Sequence, residues 1–196
     1  MVKLYIADIS RLDIEHALSM VTDYRRKKAL RCPSDEGKRQ SLGTELLLYR
    51  AMNSGKPFTY RLGENGKPYL EDGRFFSLAH SGSYAVCAVA DSEVGVDIEL
   101  PREGALKLAL RFFTENEYRR IAESSEPDEL FCEYWVIKES YIKATGDGLR
   151  TPLRSFEAAE KIADFRTAHF CRDGYHIALC VKCAEIGEIE INEVTF

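Results

Sequence analysis

Gly95-Val96-Asp97-Ile98-Glu99 and Trp135-Val136-Ile137-Lys138-Glu139-Ser140-Tyr141-Ile142-Lys143-Ala144 decide how this chain is read. The first alternates: Val96 and Ile98 share one face and Asp97 and Glu99 the other, as in a strand held to a core by one side. In the second, Trp135, Glu139 and Lys143 fall on one helical stripe, while Tyr134, Ile137 and Tyr141 fall largely on another side. Between them lies Pro101-Arg102-Glu103-Gly104, which reads as a linker near the middle of the chain. Two units are predicted, residues 1–100 and 101–196.

Working outward, residues 2–8 predict an opening strand and residues 13–31 one helix, broken at Pro33. A second helix is capped by Ser34 or Asp35 and runs to about residue 53, with Gly55 and Pro57 as stop signals. Residues 58–62 are strand-like, and residues 64–68 form a turn through Asn65-Gly66. Residues 84–90 and 94–100 are apolar runs separated by Asp91-Ser92-Glu93, which predicts a hairpin. Beyond the linker, residues 105–113 are helical and Thr114 with Glu117 forms a capping box. A further helix starts at Pro127 and closes at Gly146-Asp147-Gly148. Strands are expected at 156–160, 165–172, 175–182 and 188–194, with Asp173-Gly174 turning a hairpin. Helices followed by antiparallel strands in each half predict an α+β fold. There is no internal repeat at the level of residue identity.

With 45% hydrophobic and 30% charged residues, the chain can bury a full core beneath a polar surface. A net charge of -5 speaks against nucleic acid as a partner. No apolar run reaches membrane-spanning length, and residues 1–8 lack the features of a signal peptide. A cytoplasmic location is the expectation. Among six cysteines, only Cys180 and Cys183 have C-x-x-C spacing. They sit on a predicted strand, where residues three apart diverge. Free, buried thiols are expected rather than a redox or zinc pair.

Asp97 and Glu99 repel one another unless a cation or proton lies between them. Oxygen ligands suit magnesium, whose shell substrate phosphates can complete; the plainer reading is a solvated strand face. Glu139 followed by Lys143 has the spacing of a surface ion pair. Lys67 occupies an exposed turn. His80 and Ser81 lie in Leu78-Ala79-His80-Ser81-Gly82, where His80 could donate to a phosphate oxygen or serve the fold alone. Arg25, Lys27, Lys28, Lys38 and Arg39 concentrate positive charge near the N-terminus, either as a solvated helix face or as neutralisers of a phosphate.

Each signal is weak singly, but their order is informative: Gly-x-x-Gly-Lys-Pro, His-Ser-Gly, Gly-Val-Asp-Ile-Glu, then Trp-x-x-Lys-Glu-x-x-x-Lys-Ala-x-Gly-x-Gly-Leu. From about residue 25 to 149 the chain resembles the 4'-phosphopantetheinyl transferase superfamily, in its larger type that activates surfactin synthetase. The resemblance implies transfer of phosphopantetheine from coenzyme A to a serine of an apo acyl or peptidyl carrier protein, with magnesium required and adenosine 3',5'-bisphosphate released. It implies a monomer built as a pseudodimer of two α+β halves, with the active site in the cleft between them. Asp97, Glu99 and Glu139 look like the metal ligands. Lys143 matches a lysine near the coenzyme A diphosphate and His80 a phosphate-contacting histidine, with Ser81 beside it. Lys67 matches a coenzyme-contacting lysine, and Lys27 and Arg39 align with positions that hold the 3'-phosphate. Trp135 and Lys138 match mainly structural positions. Ala79 departs from the serine that many members carry. The serine proton could pass to a metal-bound water, Glu139 or Lys143. The competing enzyme reading is a metal-dependent phosphohydrolase of coenzyme A or a nucleotide diphosphate; the non-enzymatic one is a coenzyme A or carrier-protein scaffold. Phe112, Phe113 and Tyr118 are candidates for carrier contact or for the core.

Overall fold

The computed structural model describes residues 1–196 except 55–57, 59 and 64 and the side chain of Leu149. Gly55, Pro57 and Glu64, read above as helix stop signals and turn, therefore lie outside the described residues, as does Thr59 of the strand-like run.

The chain opens with β1 (Val2–Asp8), followed by α1 (Ile14–Met20), α2 (Asp23–Leu30) and α3 (Asp35–Ala51). The single helix expected over residues 13–31 is in fact α1 and α2. Asp13 caps the first, and Thr22 caps the second by accepting from the Arg25 amide. After the short pair β2 (Arg61–Leu62) and β3 (Pro68–Tyr69) come β4 (Phe75–Ser81), β5 (Tyr84–Ala90) and β6 (Val94–Glu99). Next are α4 (Ala105–Phe112), α5 (Glu115–Glu123) and α6 (Pro127–Thr145), then β7 (Lys161–Ile162), β8 (Phe165–Arg172), β9 (Tyr175–Lys182) and β10 (Ile189–Val194). Thr114 and Glu117 form the predicted capping box on α5. Gly146 ends α6 at φ +78°, a conformation that favours glycine.

The strands form two four-stranded sheets, β10-β1-β5-β4 and β6-β9-β8-β7. Alternation along the strands builds the layers. Val2, Leu4, Ile6, Val86 and Ala88 from the first sheet meet Val96, Ile98, Ile177 and Leu179 from the second in a shared apolar layer. Each such fully buried Leu, Ile or Val stabilises the fold by roughly 1.5–3 kcal/mol. The opposite face of the first sheet packs on α1–α3 through Ile9, Leu42, Leu47 and Phe76. The opposite face of the second packs on α6 through Val136, Ile137 and Ala178.

The α+β reading holds, with three corrections. The hairpin expected between residues 84–90 and 94–100 does not form. Strand β5 already has β1 and β4 on its edges, so β6 crosses to the second sheet and pairs with β9. The first sheet is mixed rather than antiparallel, because β10 runs parallel to β1. Residues 156–160 are not a strand; Phe156 instead packs its ring 4.8 Å from that of Tyr141. Strand β6 thus precedes residue 101 but belongs to the sheet of β7–β9, while β10 returns to the sheet of β1.

Candidate active site

Gly95 lets α6 close on β6. A Cβ there would lie 1.9 Å from the Ser140 carbonyl oxygen and 2.5 Å from the Ala144 amide nitrogen, so any side chain would push helix and strand apart. The close approach sets Asp97 and Glu99 against Glu139 and Lys143. Asp97 is only 6% exposed. Its Oδ1 accepts from Lys143 Nζ at 2.6 Å, whereas its Oδ2 is buried with no hydrogen-bond partner. Glu99 Oε2 accepts from Ser81 Oγ at 2.8 Å and lies 3.6 Å from the Arg102 guanidinium.

Burial raises the pKa of Asp97, of Glu99 and of Glu139 above the ordinary carboxylate range. The charge of Asp97 raises Glu99 and Glu139 further, and Lys143 pulls all three back down. Three mutually repelling acids with one orphaned oxygen are short of positive charge. A hard divalent cation such as magnesium fits that donor set.

Beside the acids opens a cavity of about 860 Å³. Its walls come from α2, the turn at residues 65–68 and β4 on one side, and from α4, α6 and residues 148–154 on the other. Arg25, Lys28, Lys67, Arg111, Lys143 and Arg154 line it together with His80, against one acid among the described residues, Glu139. In a chain of net charge -5 this is a local reversal of sign. Trp135, Glu139 and Lys143 all reach the cavity, as their shared stripe predicts.

The cations differ in how they are held. Arg25 Nε donates to Glu45 Oε2 at 2.9 Å and its Nη2 to the Tyr60 hydroxyl at 2.9 Å. Lys67 Nζ donates to the carbonyls of Ala144 at 2.7 Å and Val94 at 3.2 Å, and burial lowers its pKa to about 8. Asn65 Nδ2 adds a bond to the Gly146 carbonyl at 3.0 Å. The Gly-Lys-Pro turn therefore satisfies the C-terminal carbonyls of α6, besides facing the cavity. His80 reaches solvent from a concave wall; lost hydration and then the charges of Lys143, Lys28 and Arg25 lower its pKa.

Three residues expected at the coenzyme stand apart. Lys27 is exposed on α2, Arg39 Nε donates to the Leu12 carbonyl at 3.2 Å, and Ser81 is buried with its hydroxyl on Glu99; none of them lines the cavity. Arg25 and Lys28, three residues apart, share the face of α2 that does. Arg111, Thr151 and Arg154 also line the cavity, and the sequence reading did not single them out. Nothing in their local spacing marks them; they converge only in the fold. Phe112 lines the cavity as well, while Phe113 is buried and Tyr118 half-buried in an aromatic cluster with Phe131 and Trp135.

A profile of the 4'-phosphopantetheinyl transferase superfamily matches residues 93–192. The chain belongs to this superfamily. It is 31% identical over 157 residues to a 4'-phosphopantetheinyl transferase of Bacillus subtilis, covering 75% of this chain and 70% of the relative. A second Bacillus subtilis relative, the 4'-phosphopantetheinyl transferase ffp, is 27% identical over 202 residues, covering 92% and 90%. The 4'-phosphopantetheinyl transferase gsp of Aneurinibacillus migulanus is 41% identical over 99 residues, and there the chain spans 50% of itself and 42% of the relative. The resemblance carried by the ordered motifs is borne out, and with it the reading of the chain as an enzyme of the transferase class.

Proposed function

We propose that this chain moves the 4'-phosphopantetheine group of coenzyme A onto a serine hydroxyl of an apo acyl or peptidyl carrier protein, with magnesium held by Asp97, Glu99 and Glu139. The carrying observation is the juxtaposition of a cation-lined cavity with three clustered acids, of which Asp97 is buried with an unpartnered oxygen and Glu99 and Glu139 are half-buried. A diphosphate ester needs the first, and a divalent ion that bridges to it needs the second. In the reaction the serine oxygen bonds to the β-phosphorus, the bond to adenosine 3',5'-bisphosphate breaks, and the serine proton leaves. Magnesium bound there would supply positive charge to the diphosphate oxygens.

The chain's own residues do the rest. Lys143, already an ion-pair donor to Asp97, offers its ammonium to the diphosphate. The serine proton passes to Glu139, to Lys143 or to a metal-bound water, all of which the arrangement sets at the same place. His80, whose pKa is lowered by lost hydration and then by its cationic neighbours, donates to a phosphate oxygen of the bound anion. Ser81 holds Glu99 in place. Lys28 takes the part that resemblance alone gave to Lys27 and Arg39, facing the coenzyme's outer phosphate.

A pseudodimer with its site in the cleft between the halves accompanies this reading. In support, each half runs strand, three helices, hairpin: β1, α1–α3, β4–β5, then β6, α4–α6, β8–β9. In both, the first strand pairs with the last strand of the hairpin. Such a chain works as a monomer, in the cytoplasm, with no nucleic-acid or membrane partner; no described helix is long and apolar enough to cross a membrane.

Intact-protein mass spectrometry tests the reading. An apo acyl carrier protein and an apo peptidyl carrier domain are each incubated with the chain, coenzyme A and magnesium. A phosphopantetheine mass gain that EDTA abolishes is expected. Coenzyme A cleaved with no carrier modified would make the chain a phosphohydrolase. Coenzyme A bound but intact would make it a scaffold.

A further inference from the structure

We propose that His169, Cys171 and His176 form a second metal site, for a borderline-soft divalent ion such as zinc. His169 and Cys171 are two apart on β8 and share a face; Cys171 lies opposite His176 on β9 in the register. Their donor atoms all fall within 4.8 Å of one another. His169 Nε2 lies 2.9 Å and Cys171 Sγ 3.9 Å from His176 Nδ1. A tetrahedral zinc with ordinary Zn–N and Zn–S bonds places neighbouring donors roughly 3.3–3.6 Å apart. The three side chains need shifts of well under an ångström at these two spacings, by that roughly stated geometry.

The outer contacts favour a ligand role. His176 is buried at 5% exposure, and its far nitrogen, Nε2, lies 2.8 Å from Glu129 Oε2 on α6. A carboxylate behind a histidine fixes the tautomer with the proton on Nε2, so the Nδ1 lone pair faces the other two donors and accepts from His169 in the metal-free protein. A water completes four-coordination. Nitrogen and sulfur donors select against magnesium, so this site and the carboxylate site take different ions.

The binding step balances simply. Cys171 gives up its thiol proton to solvent. The proton shared by His169 Nε2 and His176 Nδ1 is displaced to His169 Nδ1. One proton is released for each ion bound.

Cobalt(II) serves as the probe, titrated into the full chain with excess magnesium present to occupy the acids. One equivalent is expected to give intense tetrahedral bands together with a thiolate charge-transfer band, which zinc then abolishes. Cys171→Ser is expected to lose the charge-transfer band and His169→Ala to bind far more weakly. Glu129→Gln weakens binding by roughly 10–100-fold, the usual cost of removing a ligand's carboxylate partner. Glu139→Gln is expected to keep the whole spectrum. Zinc should raise the melting temperature of the wild type but not of Cys171→Ser, whose metal-free melt and circular dichroism report that it folds. A charge-transfer band that survives in Cys171→Ser, or the absence of any such band, would overturn the site and leave a hydrogen-bonded histidine pair. None of these readouts depends on transferase activity.

Discussion

Helix α6 carries Lys138 and Lys143 into opposite situations. Lys138 is 0% exposed, yet its ammonium is fully engaged. It donates to Glu117 Oε2 at 2.7 Å, to the Leu153 carbonyl at 2.7 Å and to the Phe156 carbonyl, with the rings of Phe113 and Phe156 alongside. Glu117 is matched in turn by the amides of Thr114 and Ala158. Lys143, on the cavity side, meets one oxygen of Asp97 and leaves the other with none. Charge buried to hold the fold is satisfied by the chain itself. Charge buried beside the cavity is left incomplete, and its completion has to come from outside.

The sharpest way to break this contrast is Lys138→Met. It strands the Glu117 charge in the interior and should lower unfolding free energy by about 3–5 kcal/mol in a denaturant titration. A loss below about 1 kcal/mol, the range of a surface pair, would erase the distinction.

Glu139→Gln probes the incomplete side. Turnover should fall by roughly 100–1,000-fold, the scale of losing one electrostatic contact to the transition state. The metal-free protein should at the same time gain stability at neutral pH. The sign follows from the raised pKa: a carboxyl that holds its proton more tightly when folded stabilises the fold at acid pH and loses that benefit as pH rises through its folded value. Glutamine does not titrate. Melts in EDTA should therefore coincide below about pH 4, the ordinary carboxylate range, and separate toward neutrality with the variant higher. A wild type that melts higher than the variant at pH 7 in EDTA contradicts the picture.

His80 sharpens the contrast by titration. Its pKa is lowered in the free protein by lost hydration and by Lys143, Lys28 and Arg25, and a diphosphate bound among those cations should move it upward. Nuclear magnetic resonance of the ring with and without coenzyme A measures this; an unmoved titration would take His80 out of the site. The smallest effect separates neighbours on α2. Lys28→Ala should raise KM for coenzyme A by roughly two- to five-fold at low salt, the size of one exposed charge contact, while Lys27→Ala leaves it nearly unchanged. Equal effects would mean that only the overall charge of the run matters.

Much of this was written locally. The capping box at Thr114 and Glu117, the close of α6 at Gly146, the β8–β9 hairpin across Asp173-Gly174 and the common face of Asp97 and Glu99 all rest on interactions within a few residues. Helical period, strand alternation and capping are short-range physics, and sequence carries them directly. The family motifs extend that reading to the acids and Lys143.

The fold alone decided the rest. Whether β6 pairs with β5 or β9 depends on which strand edges are already occupied, and that is settled by β1 and β4, far away in sequence. The parallel place of β10 beside β1 joins the two ends of the chain. Only the turn of α2 distinguishes Lys28 from Lys27, and only convergence of separate elements brings Arg111 and Arg154 to one wall. His169, Cys171 and His176 were individually unremarked until sheet register set them side by side. Local chemistry selects each element and the face it presents. Which faces meet is a collective outcome of burying all of them at once, and no single stretch of sequence contains it.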